Sequence, residues 1–86
     1  MALTPEFAPD AESQWLALDV ELQELTLDEI EVLLHRPLAS TTLLYHDFVH
    51  DADGVRHYVF LEALVSSANQ KLTIIGVNYL TRKIGS

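Results

Sequence analysis

The chain has 86 residues, of which 49% are apolar, and it carries a net charge of −8 and no cysteine. The apolar content argues against intrinsic disorder, and the absence of cysteine excludes disulfides, thiolate zinc sites and thiol nucleophiles. A negative field of this size repels phosphate backbones and anionic lipids, so neither direct nucleic-acid binding nor membrane binding is expected.

The N-terminal stretch MALTPEFAPDAES lacks the basic start and the apolar segment of a signal peptide. Pro5 and Pro9 interrupt it, which predicts a flexible acidic tail over residues 1–12 and a single globular domain over residues 13–86. No apolar run approaches the roughly 20 residues that cross a bilayer. A cytoplasmic location is therefore expected, and the lack of cysteine fits a reducing compartment.

Residues 15–23 fit two secondary structures. As a strand, Leu16, Leu18 and Leu22 alternate with small or polar residues; as a helix, Trp15, Leu18 and Leu22 lie on one stripe. The alternation favours the strand, whereas the Leu, Ala, Glu and Gln content favours the helix, which we prefer.

The stretch LTLDEIEVLLHRP predicts a helix over about residues 27–35. Thr26 and Glu29 have the spacing of a capping box, in which each side chain accepts from the other residue's backbone amide. Leu25 and Ile30 have the spacing of the accompanying hydrophobic staple. The helix is expected to end before the proline that follows, because the residue before a proline is pushed out of the helical region.

Three segments after this helix are rich in Val, Ile, Thr, Tyr and Phe, which is typical of strands. They cover about residues 41–50, 55–65 and 71–81, and the turn-forming sequences DADG and SSANQ separate them. Strands joined in this way predict a three-stranded antiparallel meander, with the helical segment packed on one face. The expected fold class is α+β.

The turn DADG permits two registers of the first hairpin. A three-residue loop with a bulge at Gly54 sets His50 opposite Arg56, and a two-residue type I′ turn at Asp53-Gly54 sets His50 opposite His57. We prefer the first register because it gathers a cleaner apolar face for the core: Leu43, Tyr45, Val49, Val59, Leu61 and Ala63.

The stretch HDFVHDADGVRHY concentrates three histidines, and its chemistry depends on the register. In the preferred register His46 and His50 share a face while His57 lies behind the sheet, so no metal site and no cofactor are expected. In the other register all three histidines point the same way, and a metal site is conceivable. Acid–base catalysis by Asp47 and His57 would lack a nucleophile, so no enzymatic activity is expected.

The strand at residues 58–65 carries apolar side chains on both faces, although one layer of helix can cover only one of them. The second face is therefore expected to be an exposed apolar patch of the kind that marks interfaces. In the preferred register its apolar residues are Leu44, Phe48, Tyr58, Phe60 and Leu64, and its rim is His46, His50, Arg56 and Glu62.

These features predict a non-catalytic interaction module: a small acidic adaptor, assembly factor, inhibitor or accessory subunit. Its partner would be another protein or a second copy of the chain, giving a dimer. One alternative is an acidic inhibitor that imitates nucleic acid, because residues 1–31 hold nine acids and no Lys or Arg. The other is a small metal-dependent hydrolase that uses the His and Asp side chains of the hairpin at residues 46–57.

Overall fold

The computed structural model describes residues 4–35, 41–66 and 70–85. The elements in chain order are β1 (Thr4–Phe7), α1 (Pro9–Leu16), α2 (Val20–Leu34), β2 (Thr41–Ala52), β3 (Val55–Ser66) and β4 (Lys71–Lys83). The strands form one mixed sheet in the order β1-β4-β3-β2, and both helices pack on the same face of it. The α+β class is confirmed.

The three predicted strands are confirmed as an antiparallel meander, each slightly longer than expected. Their β-branched and aromatic content suits the pleated surface. The pairing of β3 with β4 shifts by one residue between Glu62 and Ala63, so that Gly76 lies opposite Glu62 and Ile75 is the extra, bulged residue.

A fourth strand, β1, was not predicted. It pairs in parallel with the start of β4, from Thr4 beside Lys71 to Phe7 beside Ile74. The structure thus places most of the segment expected to be a flexible tail in β1 and α1. The prolines fit these elements, because Pro5 lies in an edge strand and Pro9 occupies the first turn of α1, where its missing amide costs nothing.

The predicted start of the second helix is wrong. The helix α2 begins at Val20, so Thr26 lies in its interior, completely buried, and donates a hydrogen bond of 2.7 Å to the carbonyl of Leu22. Glu29 does not cap the helix either, since its carboxylate contacts His46. A Thr hydroxyl can be satisfied by the carbonyl four residues earlier, so the same residue type is compatible with a helix interior.

Residues 15–23 are helical apart from a break between Leu16 and Val20, as the preferred alternative predicted. Gln23 stabilises the chain at this break, because its side-chain amide donates to the carbonyls of Leu16 and Leu18 over 3.1 and 3.0 Å. The indole of Trp15 in turn donates to the carbonyl of Gln23 over 3.1 Å. These hydrogen bonds replace the helical ones that the break removes.

The core lies between the two helices and one face of the sheet. Alternate residues of β3 and β4 face the helices, which is the period expected of strands with one covered face. The buried apolar side chains of this core are Ala11, Leu18, Leu22, Ile30, Leu33, Val59, Leu61, Ala63, Val65, Leu72, Ile74 and Val77.

The register of the first hairpin differs from the preferred one. His50 lies opposite His57, and Ala52 lies opposite Val55. Asp53 and Gly54 both have positive φ, 54° and 74°, as a two-residue type I′ turn requires. The change of one residue moves every side chain of β2 to the other face relative to β3.

Candidate functional site: the open face of the sheet

One face of the sheet has no helix packed on it among the described residues. We call it the open face, and the face that packs on the helices the covered face. The strand pairing places the following side chains on the open face: Leu43, Tyr45, Asp47, Val49, Asp51, Arg56, Tyr58, Phe60, Glu62, Leu64, Lys71, Thr73, Asn78, Leu80, Arg82 and, from β1, Glu6.

Seven of the sixteen open-face side chains are apolar or aromatic, and several of these are strongly exposed. Tyr45 is 66% exposed, and Leu64 and Leu80 are 48% and 49% exposed. Between them, Tyr58 and Phe60 stack with an interplanar angle of 8° and a centroid distance of 6.3 Å. Several large exposed apolar side chains on one face are typical of a surface that another molecule covers.

The observed register divides the predicted interface residues between the two faces. Arg56, Tyr58, Phe60, Glu62 and Leu64 lie on the open face as predicted.

The other four predicted residues lie on the covered face. Leu44 and Phe48 pack against the core from its margin, and His46 and His50 contact α2. The one-residue change of register is the physical reason, because it turns the side chains of β2 over while those of β3 stay in place.

Sequence reasoning missed four apolar residues of the open face. Leu43, Tyr45 and Val49 were assigned to the core, and Leu80 was assigned to neither face. The sequence does contain the signal that places the first three: Asp-Gly is a preferred pair for a type I′ turn, and that turn fixes the register.

The open face is nearly neutral although the chain is acidic. It carries four acids (Glu6, Asp47, Asp51 and Glu62) and three bases (Arg56, Lys71 and Arg82), for a net charge of −1. By contrast, residues 9–34, which form both helices, hold eight acids and no Lys or Arg. The charge of the protein is therefore concentrated behind the sheet, on the helices.

An ion pair lies on the open face next to the turn of the first hairpin. The guanidinium of Arg56 donates to both carboxylate oxygens of Asp51, over 2.8 and 3.0 Å. This hydrogen bond lowers the pKa of Asp51, because it stabilises the charged carboxylate, and the same contact raises the pKa of Arg56.

A second group of polar side chains lies on the covered face, where β2 meets α2. His46 Nε2 is 2.8 Å from Glu29 Oε1, and His50 Nε2 is 3.0 Å from Glu21 Oε1. The first contact is a hydrogen bond. The second has the distance of an ion pair but not the angles of a hydrogen bond, so His50 Nε2 has no hydrogen-bond partner among the described residues.

His57 completes this group at the hairpin end. Its ring stacks on Tyr79 at a centroid distance of 5.8 Å, and Nδ1 is hydrogen-bonded to the Tyr79 hydroxyl over 2.7 Å. Partial burial and the nearby Asp19 carboxylate raise the pKa of Tyr79. A shallow depression of about 240 Å³ opens beside His50 and His57.

The three histidines share a face, but each contacts a different side chain. Across residues 4–35, 41–66 and 70–85, no three His, Asp or Glu side chains converge as ligands of one ion. The pair considered for acid–base chemistry is separated, since Asp47 lies on the open face and His57 on the covered face. In this arrangement His46 and His50 link β2 to the acids of α2, and His57 links β3 to Tyr79 of β4.

No family model, no curated protein and no solved structure matches the chain. Neither of the helices in the described part of the chain is long and apolar enough to cross a bilayer. A function for the protein is therefore inferred from the arrangement of its side chains.

Proposed function

We propose that the protein is a non-catalytic interaction module that binds a protein partner, either another protein or a second copy of the chain, through the open face of its sheet. The observation that carries this proposal is the exposure of Tyr45, Leu64 and Leu80 on a face whose other side holds the whole core. The role of such a module is that of a small adaptor, assembly factor, inhibitor or accessory subunit.

The energy of covering this face supports the proposal. Full burial of one large apolar side chain contributes about 1.5–3 kcal/mol, so covering a half-exposed one contributes about 1 kcal/mol. Summed over the apolar side chains of the open face, this gives about 5 kcal/mol or more, which is comparable with the whole stability of a small domain. A partner that covers the face gains this energy, which offsets part or all of the roughly 4–15 kcal/mol that association costs.

The charge distribution indicates what kind of surface binds there. Because the open face has a net charge of −1 and displays both signs, it fits an apolar partner surface with a mixed rim better than a strongly basic one. The acids of α1 and α2 lie on the far side of the sheet and do not contact a partner bound to the open face.

The test is site-specific photo-crosslinking in the native cell. A photoreactive phenylalanine analogue is placed at Tyr45 on the open face and, as the matched control, at Val20 on α2, which is 69% exposed. We expect a discrete protein adduct from position 45 and none from position 20. No adduct from position 45 at any expression level would contradict the proposal.

A second candidate function rests on the helices. Eight acids and no base over residues 9–34 give a surface that could imitate the charge of a nucleic acid and occupy a basic groove. This candidate predicts the opposite crosslinking result: an adduct from Val20, which disappears when the crosslinking is repeated in cell extract with added salt.

A further inference from the structure

We propose that the molecule covering the open face is a second copy of the chain, so that two sheets stack face to face around a two-fold axis with the helices outside. This inference rests on the proposed function, since it names the partner of the same surface. Its support comes from the area of the face, its charge and its composition.

The area of the open face is sufficient for a dimer. The strands β2, β3 and β4 have 12, 12 and 13 residues. With about 3.4 Å per residue and about 4.8 Å between strands, they cover about 40 by 15 Å, or about 600 Å² of flat sheet per copy. Two copies therefore bury about 1,200 Å² in total, without the additional surface that the side chains contribute. This area lies at the lower end of the range for specific interfaces.

The net charge of −8 does not oppose this dimer, because the open face carries only −1 of it. Stacked sheets lie about 10 Å apart, and a layer of helices adds about 10 Å on each side. The acidic helices of the two copies are then about 30 Å apart, several times the screening length of about 8 Å at physiological ionic strength.

The composition of the face permits contact with its own copy. A two-fold interface places the same patch on both sides, so an acidic patch or a basic patch would repel its copy. Here acids and bases are mixed, and the stacked rings of Tyr58 and Phe60 lie at the centre of the patch, on β3 between β2 and β4. Two sheets with apolar faces pack in this way in β-sandwiches, with their strands within about 30° of each other.

The experiment is sedimentation equilibrium of the full chain over a wide range of concentration, on the wild type and three variants. Tyr45→Glu places a charge on the open face, Leu80→Thr removes apolar area from it without adding charge, and Val20→Glu changes an equally exposed apolar residue on α2. Circular dichroism checks that each variant is folded. A concentration-dependent rise from 9.7 kDa towards twice that mass is expected for the wild type.

Tyr45→Glu is expected to weaken the dimer at least about tenfold, or about 1.4 kcal/mol. Leu80→Thr should weaken it measurably, and Val20→Glu should leave it unchanged. A dimer weakened by Val20→Glu and not by the open-face variants would overturn the inference.

A wild type that stays monomeric at every concentration would also overturn the inference that a second copy covers the open face. Whether the proposed function then survives is decided by the crosslinking experiment. An adduct from Tyr45 to a different protein leaves the open face as an interface with that protein as its partner. A monomer that gives no adduct at all removes both proposals.

Discussion

The outer edge of β4 offers a sharp test of how the sheet is protected from uncontrolled pairing. The strand β1 lies beside β4 only as far as Ile74, so the amide of Val77 further along has no strand on that side to which it could donate, among the described residues. Instead, the side chain of Gln14 on α1 lies there, and its Oε1 accepts the Val77 amide over 2.7 Å. Exposed strand edges are sites of unwanted pairing with strands of other molecules. A side chain in this place blocks such pairing at the edge of β4.

Replacing Gln14 with Ala should leave the Val77 amide without an acceptor. A hydrogen bond contributes about 0.5–1.5 kcal/mol net, and a buried amide without a partner costs about 1–3 kcal/mol. Because this site is only partly buried, we expect the free energy of unfolding to fall by about 1–1.5 kcal/mol. For a chain of this size that corresponds to a melting temperature lower by about 5–10 °C.

The measurements are urea denaturation and hydrogen exchange of the Val77 amide. Ser13→Ala is the matched control, because it also replaces an exposed polar residue of the same helix with Ala and gives a similar gain in helix propensity. Gln14→Glu should restore slow exchange, since a carboxylate also accepts. If Gln14→Ala and Ser13→Ala have the same denaturation midpoint and the same Val77 exchange rate, the edge contact has no energetic role.

Three other positions test single features of the fold. Gly54→Ala should lower the free energy of unfolding by about 1–2 kcal/mol, because a side chain at φ 74° is strained; an unchanged urea midpoint would contradict the type I′ turn. Gln23→Ala should lower the free energy of unfolding by about 1 kcal/mol and speed amide hydrogen exchange around the break between α1 and α2. Unaltered hydrogen exchange there would show that the hydrogen bonds of Gln23 do not stabilise the break. The pKa of Asp51 lies below its ordinary value of 3.8 because Arg56 binds the carboxylate, so the stabilisation is present above that pH and is lost as the pH falls through the lower folded value. In an NMR titration, Arg56→Gln should raise the pKa of Asp51 towards 3.8, and an identical titration curve would rule out the pair.

The register of the first hairpin shows why hydrophobic pattern alone did not locate the site. Both faces of β2 and β3 are rich in apolar residues, so either register gives a plausible core: one with Leu43 and Tyr45, the other with Leu44 and Phe48. A shift of one residue exchanges these sets completely. Only the backbone preference of Asp-Gly distinguishes the registers, and it favours the one observed.

The start of α2 was misplaced for a related reason. The spacing of Thr26 and Glu29 fits a capping box, yet it equally fits a helix interior in which Thr26 bonds to a carbonyl and Glu29 reaches a neighbouring strand. The chain before Thr26 consists mostly of good helix formers, and Asp19 provides an earlier residue of the N-cap type. What decides between the two starts is the packing of Leu22 into the core, which is a tertiary contact.

The strand β1 lay beyond the reach of sequence pattern. It has four residues, one of them proline, and such a length is too short to show a period of two. Its partner in the sheet is about 67 residues away along the chain, so nothing local specifies the pairing. The three long strands, by contrast, were predicted because their composition and their turns are local features.

The central claim is that the protein associates through the open face of its sheet. The most direct measurement is the solvent exposure of individual methyl groups, read by NMR with a soluble paramagnetic agent in dilute and in concentrated samples. As the concentration rises, the methyls of Val49, Leu64 and Leu80 should lose their relaxation enhancement, while those of Leu16 and Val20 on the helices keep theirs. Protection of the helix methyls instead, with the open-face methyls still exposed, would contradict the account.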